Sequence, residues 1–193
     1  MLSPERHDEL RAFFRRLPLA LAAAVAVWFA VRAAYNPGLC WTAQALTRLY
    51  ENPPASRVIL DGDGALLGRS DLRADSGWLR ISLTQVTFNL VPLLALSFAL
   101  PHPFRRGRWS RLLQALIILS GTHALTVVWH LKFLQATGMG AWSQANFSNL
   151  AREAYGMLQY FFDIPVTFAL PLLLWIAAYP DDVFSLLGID ERG

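Results

Sequence analysis

The chain has 193 residues, 54% of them hydrophobic and only 16% charged, with a mean hydropathy of +0.34 and a formal net charge of +3. So apolar a composition excludes a typical soluble domain of this size and points to a membrane protein. The positive charge comes from clustered arginines without an aromatic-interleaved basic surface, which excludes nucleic acid as a partner.

In chain order, SPERHDELRAFFRR within residues 1–16 reads as a short amphipathic helix on the cytoplasmic membrane surface. Ser3 is placed to cap it, Pro4 fits its first turn, and Leu10, Phe13, Phe14 and Leu17 share a side. Residues 17–35 form an apolar run close to the roughly 20 residues needed to cross a hydrocarbon core of about 30 Å. The long charged region before it, and Val31-Arg32-Ala33 in place of a small-x-small cleavage site, make it a retained anchor and not a signal peptide.

Residues 36–82 read as an extracytoplasmic helix followed by a β-meander. Asn36-Pro37-Gly38 is expected to break the first helix, after which LCWTAQALTRLY resumes helical spacing through Leu39, Ala43, Leu46 and Leu49/Tyr50 until Asn52-Pro53-Pro54. Two short apolar runs, 58–60 and 65–67, flank Asp61-Gly62-Asp63-Gly64, a strong hairpin signal. Alternation from Trp78 to Leu83 predicts a third strand leading straight into a second span at 83–100. An Arg-rich loop at 101–111 precedes a third span at 112–134. A second amphipathic segment at 135–160 carries Phe147, Leu150, Ala151, Ala154, Tyr155 and Leu158 at helical spacing. A fourth span at 161–179 contains Asp163, Pro165 and Pro171, and a polar tail occupies 180–193.

Arginine placement predicts orientation. Arg6, Arg11, Arg15 and Arg16 precede the first span, and Arg105, Arg106, Arg108 and Arg111 crowd the 101–111 loop, so both belong inside. The expectation is therefore a mainly α, polytopic protein of a bacterial-type inner (cytoplasmic) membrane. It has four transmembrane helices, a small extracytoplasmic helix plus β-hairpin or meander, and both termini in the cytoplasm. Arg105, Arg106, Arg108 and Arg111 are the residues expected to face anionic membrane lipid.

Chemistry-bearing motifs are sparse. DGDG resembles the opening of a calcium loop, but Ala65 and Leu72 occupy the positions that need the third side-chain ligand and the bidentate Glu, so a hairpin turn is the better reading. His123 and His130, within THALTVVWHLK, are two helical turns apart, roughly 10 Å along the axis, too far to ligate one metal ion. Lys132 sits at the rim, where it can snorkel. Cys40 is the only cysteine and forms neither an internal disulfide nor a metal motif. GxSxG, HExxH, P-loop and GxGxxG patterns are absent. No catalytic residue, cofactor or metal is assigned. Polar groups inside spans are functional candidates, and Gln85, Asn89, His123 and Asp163 form the expected intramembrane polar cluster, whether it packs helices, docks a partner, binds a substrate headgroup or relays protons.

The β-rich outer loop, the strand leading into NLVPLLALSFALP, the Arg-rich RRGRWSRLLQALIIL and the closing EAYGMLQYFFDIPVTFALPLLLWIA together resemble the small membrane proteins associated with exosortases, in particular the exosortase H-associated type. The resemblance covers most of the chain as a pattern of spans. It implies an accessory protein beside a larger membrane protease that processes tagged exported proteins. The surroundings of Cys40, GLCWTAQ, do not match the motif around the exosortase catalytic cysteine, so the chain resembles the companion and not the enzyme. The expected function is a non-enzymatic integral membrane accessory subunit of such a protein-sorting system. A small transporter or channel component using the polar cluster, and a membrane enzyme acting on lipid or exported peptide, are the competing readings.

Overall fold

The computed structural model describes residues 4–71, 78–101 and 106–187. Ser3, His102 and Arg105 lie outside the described residues, as does the tail beyond residue 187. The chain is mainly helical with a small three-stranded antiparallel sheet. Among the described residues, three helical stretches are long and apolar enough to cross a membrane: Asp8–Arg48, Gly107–Thr137 and Asn149–Ala178.

The first helix, α1, runs Pro4–Arg48 without interruption. The expected break at Asn36-Pro37-Gly38 is therefore corrected, as is the separate amphipathic helix before the first span. Pro37 withholds one N–H from the carbonyl four residues earlier, a loss that apolar helices tolerate when neighbouring structure holds the helix in place. Here Leu39, Cys40 and Ala43, just past the proline, are buried in a core, and that packing overrides the local preference.

The expected second span is also revised. It comprises α2 (Leu83–Thr87) and α3 (Leu90–Ala99), with turn geometry at residues 88–89. Pro92 explains the interruption: its ring clashes with the carbonyl four residues back, that of Phe88. The Phe88 carbonyl instead accepts from the Val91 N–H at 2.9 Å, a tighter turn. At about 1.5 Å per residue this stretch reaches only about 25 Å, short of a hydrocarbon core of roughly 30 Å.

Two compact units share the chain. One takes the described parts of Met1–Ala30, Phe88–Leu119 and Phe168–Gly193. In it Phe13, Ala20, Ala24 and Trp28 recur at helical spacing and are buried with Leu93 and Leu94 of α3, Leu112, Ala115 and Leu119 of α4 (Arg106–Thr137), and Trp175 and Val183. The alanines let helices approach closely, and Trp28 closes on Phe88 edge-on at 5.8 Å between centroids. The helix α7 (Thr167–Ala178) ends here and is followed by α8 (Pro180–Leu187), where Asp182 pairs with Arg108. Arg108 also donates to the Pro101 carbonyl, and the Tyr179 hydroxyl donates to the Arg108 carbonyl at 3.3 Å.

The other unit holds Val31–Thr87 and Ser120–Thr167. Strands β1 (Ser56–Asp61), β2 (Gly64–Arg69) and β3 (Leu79–Ser82) pair antiparallel in sequence order, and β3 passes directly into α2. Asp61 faces Gly64 in register, leaving Gly62-Asp63 as the loop, with Gly62 at φ +61° as a two-residue hairpin requires. Both turn carboxylates are held by Arg80, at 2.9 Å to Asp61 and 3.2 Å to Asp63. Val58, Ala65, Leu67 and Ile81 bury their side of the sheet with Leu39, Cys40 and Ala43 of α1 and with Ala124, Val127 and Leu131 of α4.

After α4 come a short α5 (Ala141–Asn146) and α6 (Asn149–Phe161), which the Ser148 side chain caps by accepting from the Ala151 N–H at 3.2 Å. The expected separation of an outer amphipathic helix from the fourth span is replaced by continuity: α6 passes into α7 through one π-helical segment, Phe162–Val166. Pro165 supplies the cause, since its ring demands room in the preceding turn. The Thr167 hydroxyl donates to the Phe162 carbonyl at 3.0 Å and occupies a backbone group that the widened turn frees.

Candidate functional site

Apart from the Arg80 contacts at the hairpin, described polar side chains of the Val31–Thr87/Ser120–Thr167 unit meet in two pairs and a network around Glu51. In the first pair, the Tyr35 hydroxyl of α1 lies 2.7 Å from Nδ1 of His123 on α4, the rings edge-on at 5.9 Å. His123 is 1% exposed, so this is a buried polar group with a partner, the arrangement that makes such burial tolerable.

In the second pair, His130 Nε2 is 3.4 Å from Asp163 Oδ1, while its Nδ1 lies 2.9 Å from the Thr126 carbonyl. Both ring nitrogens face oxygen acceptors, so a doubly protonated ring answers both and a neutral one, with a single N–H, answers only one. Gln159 adds an amide N–H to the other Asp163 oxygen at 3.5 Å. The π-helical segment places Asp163 here. Beside these residues in sequence, Trp129 stands 6.3 Å from Tyr155 and 6.2 Å from Phe162 between ring centroids.

The network centres on Glu51, three residues beyond the end of α1. Its carboxylate accepts from the Ala55 N–H at 3.1 Å, the Ser56 N–H at 2.9 Å, the Ser56 hydroxyl, and the Gln135 amide at 3.2 Å. Lys132 Nζ stands 3.7 Å away and Arg69 Nη1 3.5 Å away. Gln135 also donates to Ser56 Oγ at 2.7 Å, Lys132 donates to Gln135 Oε1 at 3.2 Å, and Arg69 stacks on Trp142 at 4.5 Å. Burial pushes the Glu51 carboxyl up, but the Ser56 hydroxyl and N–H, the Gln135 amide and the Lys132 charge together outweigh it and hold the group below its ordinary range. Arg48 completes the cluster from the side by donating to the Ser56 carbonyl at 2.9 Å.

Three of the four residues expected to converge, Gln85, His123 and Asp163, belong to this unit. Asp163 meets His130, which stood outside the expected cluster, and His123 meets Tyr35, which was assigned to no site. Gln85 is exposed, and its backbone N–H points to Ser82 Oγ at 3.4 Å. Asn89 is buried in the other compact unit. Of the four arginines, Arg108 is committed to Asp182, Arg111 donates to the Ala178 carbonyl at 3.3 Å, Arg106 opens α4, and Arg105 is undescribed. Lys132 turns inward to Glu51 and Gln135 where snorkelling was expected. Sequence reasoning missed Glu51, Ser56 and Gln135. The one available signal was a Lys and a Gln three residues apart closing an oily run.

No protein-family model, curated protein or solved structure matches the chain.

Proposed function

We propose that the protein is a non-enzymatic integral membrane accessory subunit that docks on a larger membrane protein. One observation carries the reading. Past the apolar run of α1, on residues that follow Pro37, Trp41, Leu49 and Tyr50 are 71%, 74% and 85% exposed, while Tyr35 and His123, His130 and Asp163, and Glu51 and Gln135 of the same unit are paired with one another. Exposed large aromatics beyond a span are contact surface, and aromatic anchors dominate protein interfaces. In this reading four segments cross a bacterial-type inner membrane, the α2–α3 stretch included despite its length, and both termini are cytoplasmic because the arginines of the α1 start and the α4 start stay inside. The partner suggested by the resemblance noted above is an exosortase-like processing protein.

Gentle-detergent capture of the natively expressed protein tests this. A stoichiometric membrane partner, lost from Trp41→Ala/Tyr50→Ala, is the expected result; recovery of the protein alone overturns the reading.

A second reading, a transporter component, draws on the His130–Asp163 pair at a π-helical segment, a feature found at functional sites. It predicts that Asp163→Asn abolishes transport while the captured partner is unchanged.

A further inference from the structure

An open groove of about 320 Å³ in the unit formed by the described parts of Met1–Ala30, Phe88–Leu119 and Phe168–Gly193, its Arg111, Gln114 and Asp181 exposed, is amphiphilic in a directed way. On α4 its lining runs from Arg111 and Gln114 to Ile118; on the opposite side it runs from Asp181 to Ala177 and Leu174. In both, the charged residue stands where the sequence passes from polar to apolar. On α4 the change falls between Arg111 and Leu112, and after α7 it falls at Pro180-Asp181-Asp182. That is the level at which a membrane helix meets headgroups, and Ile118, 52% exposed, flanks the apolar end.

The charges are specific in sign. Arg108 is the partner of the Asp182 carboxylate, whereas Arg111 and Asp181 both line the groove. Arg111 gives one N–H to the Ala178 carbonyl at 3.3 Å, out of the five that a guanidinium carries. The polar end thus presents one cation suited to a phosphate, one amide, and one carboxylate suited to an ammonium. A purely anionic headgroup would meet Asp181 unfavourably, and an uncharged one would leave both charges unanswered.

We propose that this groove binds a zwitterionic aminophospholipid, with its phosphate on Arg111 and Gln114, its primary ammonium on Asp181, and an acyl chain along Ile118, Ala177 and Leu174. A primary ammonium donates three hydrogen bonds, which a quaternary choline cannot, so ethanolamine lipid is preferred over choline lipid. The assignment stands apart from the docking role proposed above, because its residues belong to the other compact unit.

The test uses the delipidated full chain in nanodiscs of choline lipid, doped with phosphatidylethanolamine or phosphatidylglycerol, and reads bound lipid by native mass spectrometry. The expected result is ethanolamine lipid binding about tenfold tighter than either competitor, as a few charge-assisted hydrogen bonds provide. Asp181→Asn should collapse the preference over choline lipid, and Arg111→Gln should weaken all phospholipids. Ile118→Trp, which leaves every polar group in place, should reduce ethanolamine lipid binding by obstructing the chain. Equal binding of all headgroups, a preference for phosphatidylglycerol, or an undiminished preference in Asp181→Asn would overturn the proposal. So would soluble phosphoethanolamine binding as tightly as the lipid, which would mark a free-metabolite site.

Discussion

Glu51 accepts hydrogen bonds from two backbone N–H groups, a hydroxyl and an amide, with its side chain 6% exposed. Glu51→Gln turns an acceptor edge into a donor facing donors and should lower stability by about 1.5–3 kcal/mol, read by thermal unfolding in detergent at neutral pH. The pH dependence has a definite sign. The folded carboxyl titrates below its ordinary value of 4.5, so its contribution is complete above that value and fades as pH falls through the lower folded one. The difference between wild type and Glu51→Gln should therefore shrink on acidification below about pH 4.5 and hold steady above it. For the His130–Asp163 pair, a double-mutant cycle of His130→Ala and Asp163→Asn should yield a coupling of about 0.5–2 kcal/mol, the range for polar contacts between membrane helices; a value near zero would mean that the 3.4 Å approach is incidental. Which polar residues mattered was partly legible in the sequence, since His123 and Asp163 stand out in oily surroundings. Their partners were not, because Tyr35 lies 88 positions from His123 and Gln135 lies 84 from Glu51, separations that no local pattern encodes.

Among the elements, the β1–β2 hairpin was written plainly, because a two-residue turn needs Gly62 at positive φ and DGDG provides it. The glycines of β2 have a different reason, visible only once the sheet is assembled. A Cβ on Gly68 would sit 2.5 Å from the Trp78 ring, and one on Gly64 would sit 2.7 Å from the Ile81 carbonyl. Gly68→Ala should displace Trp78 and cost about 1–3 kcal/mol, detected as a shift in tryptophan emission together with a lower unfolding temperature. Gly64→Ala meets backbone instead of a side chain and should be the more damaging of the two. The helices were less legible at their prolines. Asn36-Pro37-Gly38 reads as a stop yet lies inside α1, because Leu39, Cys40 and Ala43 are held by the sheet core, while Pro92, within the run read as one span, interrupts the helix four residues earlier. A proline reports on the turn before it, and whether that turn opens, widens or holds depends on what is packed beside it.

For the whole molecule, the topology proposed above makes a labelling prediction. On a Cys40→Ser background, Tyr50→Cys should react with a membrane-impermeant maleimide in intact spheroplasts, and Leu187→Cys, 62% exposed on α8, should react only after permeabilisation. Reaction of both from the same side would leave an odd number of crossings and remove the α2–α3 stretch as a span. The amphiphilic character and the arginine asymmetry were legible from composition; the number of crossings was not, because a run of apolar residues does not reveal a break four residues upstream of a proline. The unbroken course of α1 also bears on how the protein meets bilayers of different thickness. Its 45 residues follow a contour of about 67 Å, more than twice a hydrocarbon core of roughly 30 Å. Absorbing that length by tilt alone would take about 60°, beyond the range of roughly 0–40° seen for membrane helices, so α1 must leave the hydrocarbon at one end or both. Where it leaves is then adjustable: about one residue for each 1.5 Å of bilayer, with no refolding, so that thickness mismatch at α1 is taken up by register.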